Sequence, residues 1–348
     1  MEKTSISIKN KTVYILVPAY DGSGPTRGAL SLAELLHEQH NVCIVFCGLR
    51  KINFTIKSTV EIIEQPNYFS AFKYLINNIH STDNVISYCI KPDLLNMSLK
   101  IFRHHSVVCS IRAIHKNVYA DIYGVIIGNI LTVLHNHSLY FSDKIISMSD
   151  EMSKSLPNHC QKKLVKIMNF DLSPDRYQRP VYNEKKGKTF IIVSRLTRGK
   201  VDEGIFKFVH ELDFEVDQFL VFGVGSESEN LERIANKYFD GRVKFMGWDD
   251  NPWATKYVNP VLVHFSSAEG FPRSIIEASM CGIPVVGLSI PGSREYANIF
   301  KNLNFFDDNN RKSVLAAKKF ISSYEYTKVN HDYLVNINYK YTQLLKYV

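Results

Sequence analysis

The 348-residue sequence contains no run of about 20 apolar residues, the length a bilayer-spanning helix requires, so no transmembrane segment is expected. None of its six cysteines (Cys43, Cys47, Cys89, Cys109, Cys160, Cys281) forms a C-x-x-C pair, which excludes the usual zinc and dithiol spacings and leaves core thiols as their expected role. The N-terminal stretch MEKTSISIKNKTVYILVPAY lacks the apolar segment and small-residue cleavage site of a signal peptide, and a cytoplasmic location is expected. No basic tail, helix-turn-helix pattern or aromatic RNA-binding strand accompanies the net charge of +8, so nucleic acid is not an expected partner. Neither a short fixed repeat nor a low-complexity segment is present. What remains is an ordinary globular composition, 45% apolar and 22% charged, in a chain too long for a single core.

Two domains are therefore expected, and the hydrophobic pattern supports them. TVYILVPA, DGSGPTRG, GALSLAELLHEQH and NVCIVFCG read as strand, glycine-rich turn, helix and strand, a β-α-β unit. Asn84–Ile90, Ser106–Ile111 and Lys144–Met148 continue the first set of strands. A second set follows: TFIIVSRL, DQFLVFGVG, RVKFMGW, PVLVHFSS and IPVVGL. Strands alternating with helices argue for two parallel, doubly wound sheets. Between them, LSPDRYQRPVYNEKKGK (172–188) is rich in proline and charge and reads as a linker. The last helix places Leu334, Ile337, Tyr341, Leu344 and Leu345 near one face, so it should pack.

Ligands of such sheets bind outside the carboxyl ends of the strands, which makes the residues just after each strand informative. DGSGPTRG carries Gly22, Gly24 and Gly28, a spacing that departs from the dinucleotide fingerprint; it suits either a phosphate at a helix N-terminus or a plain tight turn. SRLTRGK crowds Arg195, Arg198 and Lys200 on one turn, an arrangement that favours an anion such as a pyrophosphate, with a solvated basic loop as the bland alternative. In SSAEGFPRSIIEASMCG, Pro272 can start a helix and Gly282 can stop it, leaving Glu277 among Ile275, Ile276, Ala278 and Met280. A carboxylate there needs a partner, either the paired hydroxyls of a ribose or a cation of the sheet. Glu269 lies on the loop before that helix, placed to accept from sugar hydroxyls or simply to favour the helix dipole.

Ser267 to Val286, read as S-x-E-G-F-P-x-x-x-x-E-A-x-x-x-G-x-P-V-V, resembles the signature of retaining glycosyltransferases of family 4. SRLTRGK, FLVFGVG, VKFMGW and PGSRE resemble further segments of that family in order, and Asn169–Asp171 and SDKIISMSDEM resemble the end of its acceptor domain. The resemblance is nearly continuous over the second half and loose over the first. It implies an α/β GT-B fold: two Rossmann-like domains facing a cleft, with an acceptor domain over 1–171, a linker over 172–188, a nucleotide-sugar domain over 189–325 and a helix over 326–348 that returns to the first domain. Arg195 and Lys200 would then bind the donor diphosphate, Glu277 the ribose, and Glu269 the transferred sugar. Backbone from Gly270 through Phe271 and Pro272 to Arg273 would serve sugar and phosphate, and Gly22 or Gly24 would close over the phosphate. Met246, Gly247 and Trp248 would flank the base, with Gly223 keeping its strand end open.

The implied reaction moves a sugar, with retention, from a nucleotide sugar such as a UDP-sugar to a hydroxyl of a glycan or polyprenyl-linked acceptor in lipopolysaccharide or capsule synthesis. No D-x-D pair is present, so neither a metal nor another cofactor is expected. Where members often carry a histidine after a central strand, this chain reads VVCSIRAIHKN, which offers Arg112 and His115 as acceptor-side candidates or as ordinary core and surface residues. Ser194 replaces the first glycine of G-R-L, Arg273 replaces a small residue or asparagine, and the D-G-x-x-G that follows PGSRE in relatives is missing. Lys100, Arg103, His104, His105, Arg112 and Lys116 form a basic cluster that suits either the anionic inner face of the plasma membrane or solvent. The alternatives are a UDP-sugar epimerase of GT-B architecture and a non-catalytic nucleotide-sugar-binding protein; a dinucleotide dehydrogenase is disfavoured by the imperfect glycine spacing.

Overall fold

A computed structural model of the chain describes residues 11–19, 24–48, 60–170, 179–183, 185–249, 251–266, 272–290, 293–324 and 332–346, with backbone alone at Arg294, Asp332 and Tyr333. The chain divides into two compact units, Met1–Leu172 with Asp332–Val348, and Ser173–His331.

In the first unit the order is β1 (Thr12–Val17), α1 (Gly24–Leu36), β2 (Asn41–Phe46), β3 (Glu61–Glu64), α2 (Tyr68–Asn78), β4 (Asn84–Tyr88), α3 (Ile90–Arg103), β5 (Ser106–Ser110), α4 (His115–Tyr123), α5 (Val125–Ser138), β6 (Lys144–Ser147), α6 (Asp150–Lys154), α7 (Asn158–Gln161) and β7 (Leu164–Lys166). The sheet is parallel, ordered β3-β2-β1-β4-β5-β6-β7. Successive side chains of a strand point to opposite faces, and both faces are used. Val13, Ile15 and Val17 enter one cluster with Val42, Ile44 and Phe46, while Tyr14 and Leu16 enter another with Cys43 and Val45. This is why β1 and β2 read as continuous apolar runs.

The second unit carries β8 (Lys188–Val193), α8 (Glu203–Glu211), β9 (Val216–Phe222), α9 (Ser228–Phe239), β10 (Val243–Gly247), β11 (Pro260–His264), α10 (Arg273–Cys281), β12 (Val285–Leu288), α11 (Ser293–Ala297), β13 (Leu303–Phe306) and α12 (Arg311–Ser323). Its parallel sheet is ordered β10-β9-β8-β11-β12-β13. The strand order reverses at β1/β4 in the first sheet and at β8/β11 in the second. These are the places where open α/β sheets hold ligands, at the carboxyl ends of the strands.

After α12 the chain returns to the first unit as α13 (Asp332–Lys346), where Ile337, Tyr341, Leu344 and Leu345 are buried in the cluster that holds Val13 and Ile15. Phe170 and Tyr341 meet with ring centroids 6.1 Å apart, and Lys340 Nζ donates to the Lys166 carbonyl at 3.1 Å.

The segment read as a linker differs from that expectation over its later part. Val181 bridges to Val258, and the Asn259 amide donates to the carbonyls of Asn183, Lys186 and Gly187 at 2.6, 2.9 and 3.2 Å. One buried asparagine with its donors satisfied by three carbonyls of this segment fixes the stretch to the second unit. Asn259 itself adopts a positive φ of 44°, a conformation that asparagine tolerates better than most residues.

Candidate active site

The sequence between β8 and α8 alternates anchors and cations. Leu196 and Val201 are buried in the core of the second unit, whereas Arg195 and Arg198 are exposed and Lys200 is half-buried. The Asp202 side chain accepts from the Gly204 amide at 2.9 Å and starts α8. Two apolar pins and a helix cap therefore hold the loop, and its charged residues project from a fixed backbone.

The neighbouring turn approaches closely. A Cβ on Gly223 would lie 1.8 Å from the Ser194 carbonyl oxygen, and one on Gly225 would lie 2.1 Å from that of Leu196. The FGVG sequence is thus what allows the β9 turn to lie against the SRL turn, through the bonds Ser194 N–H to Phe222 O (3.0 Å) and Leu196 N–H to Val224 O (3.1 Å). Gly223 also has φ +134°, and its N–H donates to the Gly247 carbonyl at 2.7 Å. Its role is this close packing of strand ends. Met246 and Trp248 flank Gly247 at the end of edge strand β10, each about half exposed.

Across the switch point, the Ser266 hydroxyl reaches the Gly199 carbonyl at 3.5 Å, which places the end of β11 beside the cationic loop. Helix α10 has Pro272 as its N-cap and ends on Gly282 at φ 77°; every residue from Ser274 to Cys281 is buried. Glu277 is 4% exposed. The question its sequence raised, ribose or sheet cation, has a different answer in the protein alone: Trp253 Nε1–H donates to Glu277 Oε2 at 2.9 Å, and Arg273 Nε lies 3.4 Å from Oε1, one turn back on the same helix. An indole N–H and a guanidinium at this range offset the desolvation of a buried carboxylate. A carboxylate has about four acceptor directions, so these contacts do not exclude hydroxyls.

Trp253 carries no positional motif in the sequence. Its one signal is composition: a tryptophan in the polar loop NPWATK must bury its ring and pair its N–H. A single turn of 3-10 helix (Pro252–Ala254) does both, with Trp253 1% exposed and Tyr257 O–H donating to the Pro252 carbonyl at 2.5 Å. Gly22, Glu269, Gly270 and Phe271 lie outside the described residues.

In the first unit, Gly24 is the first residue of α1, and a Cβ there would meet nothing within 4 Å among the described residues. Packing against the described residues does not demand glycine at this position. Gly28 does have a partner: its missing side chain makes room for Arg112, whose Nη2 would lie 2.9 Å from a Cβ. Arg112 Nη2 donates to Asn169 Oδ1 at 2.7 Å, and the guanidinium lies over the Tyr88 ring at 5.1 Å. Arg112 thereby joins the ends of β4 and β5 to α1 and to the Asn169 segment.

His115 opens α4, 2.7 Å from Asn136 Oδ1 and stacked on His135 at 4.0 Å. Burial, followed by the neighbouring His135, lowers its pKa to about 3, so it is neutral at pH 7. His135 in turn lies 2.9 Å from Asp93 Oδ2 and 2.7 Å from the Tyr119 hydroxyl, and Ser87 donates to Asp93 Oδ1 at 2.6 Å.

The basic cluster is not one face. His105 is 1% exposed, bonded to Asn96 Oδ1 at 2.9 Å, and its pKa is lowered to about 4 by burial and then by Lys100. Lys100 pairs with Asp143 at 2.5 Å, and Arg112 is engaged as above. Linear proximity had grouped side chains that the fold sends inward as well as outward.

Comparison with known proteins fits this architecture. Residues 175–331 match the family described as Glycosyl transferases group 1. The UDP-N-acetylglucosamine–peptide N-acetylglucosaminyltransferase GtfA subunit of Streptococcus agalactiae is 25% identical over 68% of this chain and 50% of its own length. The chain spans about half the length of the curated relatives it matches. HepE of Anabaena, solved with UDP and glucose, superposes with a TM-score of 0.73 at 14% identity, covering 97% of this chain and 99% of that one. The lipopolysaccharide outer core galactosyltransferase WaaB superposes with a TM-score of 0.63 at 16% identity, covering 95% of each chain. These likenesses establish the GT-B fold. With the anchored cationic loop, the glycine-packed strand ends and the buried glutamate in that order, residues 175–331 are a domain of the glycosyl transferases group 1 family.

Proposed function

We propose that the chain is a retaining, metal-independent glycosyltransferase that moves a hexosyl group from a UDP-sugar to a hydroxyl of a glycan or lipid-linked acceptor in surface-polysaccharide synthesis. The observation that carries this reading is the Arg195–Lys200 loop held beside Ser266 at the β8/β11 switch point of a group 1 domain. UDP in the structure of HepE and the UDP-N-acetylglucosamine in the name of the GtfA subunit support the donor class. WaaB supports the acceptor class by its name.

In this reading Arg195 and Lys200 stabilise the charge that develops on the leaving diphosphate, and Glu277 accepts from the ribose hydroxyls. Met246 to Trp248 flank the base, and Glu269 with the backbone from Gly270 to Arg273 holds the sugar. The bond from the anomeric carbon to the diphosphate oxygen breaks as the acceptor oxygen bonds to the same face of that carbon. The acceptor proton passes to the departing phosphate oxygen. Arg112 and His115 are the acceptor-side candidates, His115 as a neutral hydrogen-bonding group.

The test is turnover of UDP-glucose, UDP-galactose and UDP-N-acetylglucosamine with a lipid-linked glycan acceptor, in the presence of EDTA, with the anomeric configuration of product read by proton NMR. One donor should give acceptor-dependent UDP release and an α-linked product. Inversion, dependence on divalent metal, or release of UDP or an epimer without acceptor contradicts the proposal.

A further inference from the structure

Helix α5, VIIGNILTVLHNHS, is built inside out. Its fully buried residues are Gly128 and His135, while Val125, Ile126, Ile127, Ile130, Val133 and Leu134 are between 55 and 79% exposed. An ordinary surface helix turns its apolar stripe to the core. Here two features fix the opposite orientation. A Cβ on Gly128 would lie 2.5 Å from the Ala120 backbone nitrogen, so the glycine is the contact at which α5 closes on α4. One pair of turns later His135 reaches inward to Asp93 and Tyr119, both buried. Rotating the isoleucines inward would break the Asp93–His135 pair and drive side chains into the α4 backbone. The exposed apolar face is therefore held in place, and it extends into the chain-adjacent Ile122, Tyr123, Tyr140 and Phe141, which are also exposed.

From Ile122 to Ser142 the chain has no Asp, Glu, Lys or Arg. Charge collects at the end of the helix that leads into β6. Lys163 Nζ donates to the carbonyls of Tyr140 and Ser142 at 2.5 and 2.7 Å and lies 5.2 Å over the Tyr140 ring. Lys100 Nζ reaches the Phe141 carbonyl at 3.5 Å and neutralises Asp143. Lys144 and Lys162 follow in the same region. Lysines beside a tyrosine and a phenylalanine at the margin of an uncharged helix match the boundary between acyl chains and anionic headgroups.

We propose that this face docks on the surface of an anionic lipid bilayer, with α5 lying in the interfacial plane and the lysines near Tyr140 and Phe141 at headgroup level. At 14 residues α5 is about 21 Å long, too short to span, and no helix among the described residues is long and apolar enough to cross a membrane. A second copy of the chain fits less well, because the face from Ile122 to Ser142 holds no Asp or Glu that could complement the cationic margin of another copy.

The experiment is co-sedimentation of the full chain with vesicles of phosphatidylcholine and of phosphatidylcholine mixed with phosphatidylglycerol. Binding to the mixed vesicles is expected to be roughly tenfold or more stronger and to weaken with salt. Ile126→Glu combined with Ile130→Glu should abolish it without changing the unfolding midpoint, since both sites are exposed. Lys163→Glu should reduce it and flatten the salt dependence. No binding by the parent chain, or equal binding by the double variant, overturns the proposal. So does a dimer in solution that the double variant dissociates while vesicles bind neither protein, which would assign the face to a second copy.

Discussion

Lys200→Ala is expected to lower the rate of sugar transfer roughly 10²- to 10³-fold, the range seen when one preorganised charge-stabilising group is removed from an active site. The expectation follows from how the loop is held. Leu196 and Val201 are buried on either side of the cations, and the backbone bonds from Ser194 and Leu196 to the β9 turn do not involve the lysine side chain. The variant should therefore fold and keep its nucleotide affinity within a few-fold, with the loss falling on turnover. Arg195→Ala should behave alike, since Arg195 is exposed on the same fixed backbone. Steady-state kinetics with saturating donor and acceptor separate the outcomes: a loss confined to KM would place these residues in ground-state binding alone.

Gly223→Ala should destabilise the second unit by about 3 kcal/mol or more, the upper range for single substitutions. Two costs combine. The residue has φ +134°, a region that alanine rarely enters, and the new Cβ would sit 1.8 Å from the Ser194 carbonyl. Relief requires separating the β9 turn from the SRL turn, which also displaces Arg195. Gly24→Ala is the matched control, because its Cβ meets nothing within 4 Å among the described residues. Urea unfolding should show a large shift for the first and almost none for the second; equal shifts would mean that the packing at Gly223 does not bear on stability.

The strands that were legible in the sequence are those buried on both sides. β1, β2, β4, β5, β6, β8, β9, β11 and β12 lie inside their sheets and read as apolar runs, and edge strand β10 is marked by its glycine. β3 (EIIE), β7 (LVK) and β13 (LNFF) are not legible in the sequence, and each is a three- or four-residue edge strand. An edge strand has one partner and partial exposure, so its pattern is short and tolerates charge. The boundaries of α10 were legible because Pro272 and Gly282 are its actual caps.

Side-chain partners were less legible. Spacing showed that Glu277 is buried but could not name Trp253, which lies on a separate loop 24 residues away. Periodicity shows that α5 has an apolar face, yet it cannot show that a glycine contact and the Asp93–His135 pair turn that face outward. The basic cluster divides for a related reason: linear proximity says nothing about which residues point inward, and the fold buries His105 while Lys116 stays exposed.

Calorimetric titration of UDP into the full chain and into Glu277→Ala and Glu277→Gln shows whether Glu277 holds the nucleotide. The parent is expected to bind UDP, and Glu277→Ala to weaken binding about 10- to 100-fold, the loss of one or two hydrogen bonds to a charged group. Glu277→Gln, which can retain the Trp253 contact and keep the fold intact, should fall between them. UDP affinity unchanged in a folded Glu277→Ala protein, or no UDP binding by the parent chain, would contradict this role of Glu277.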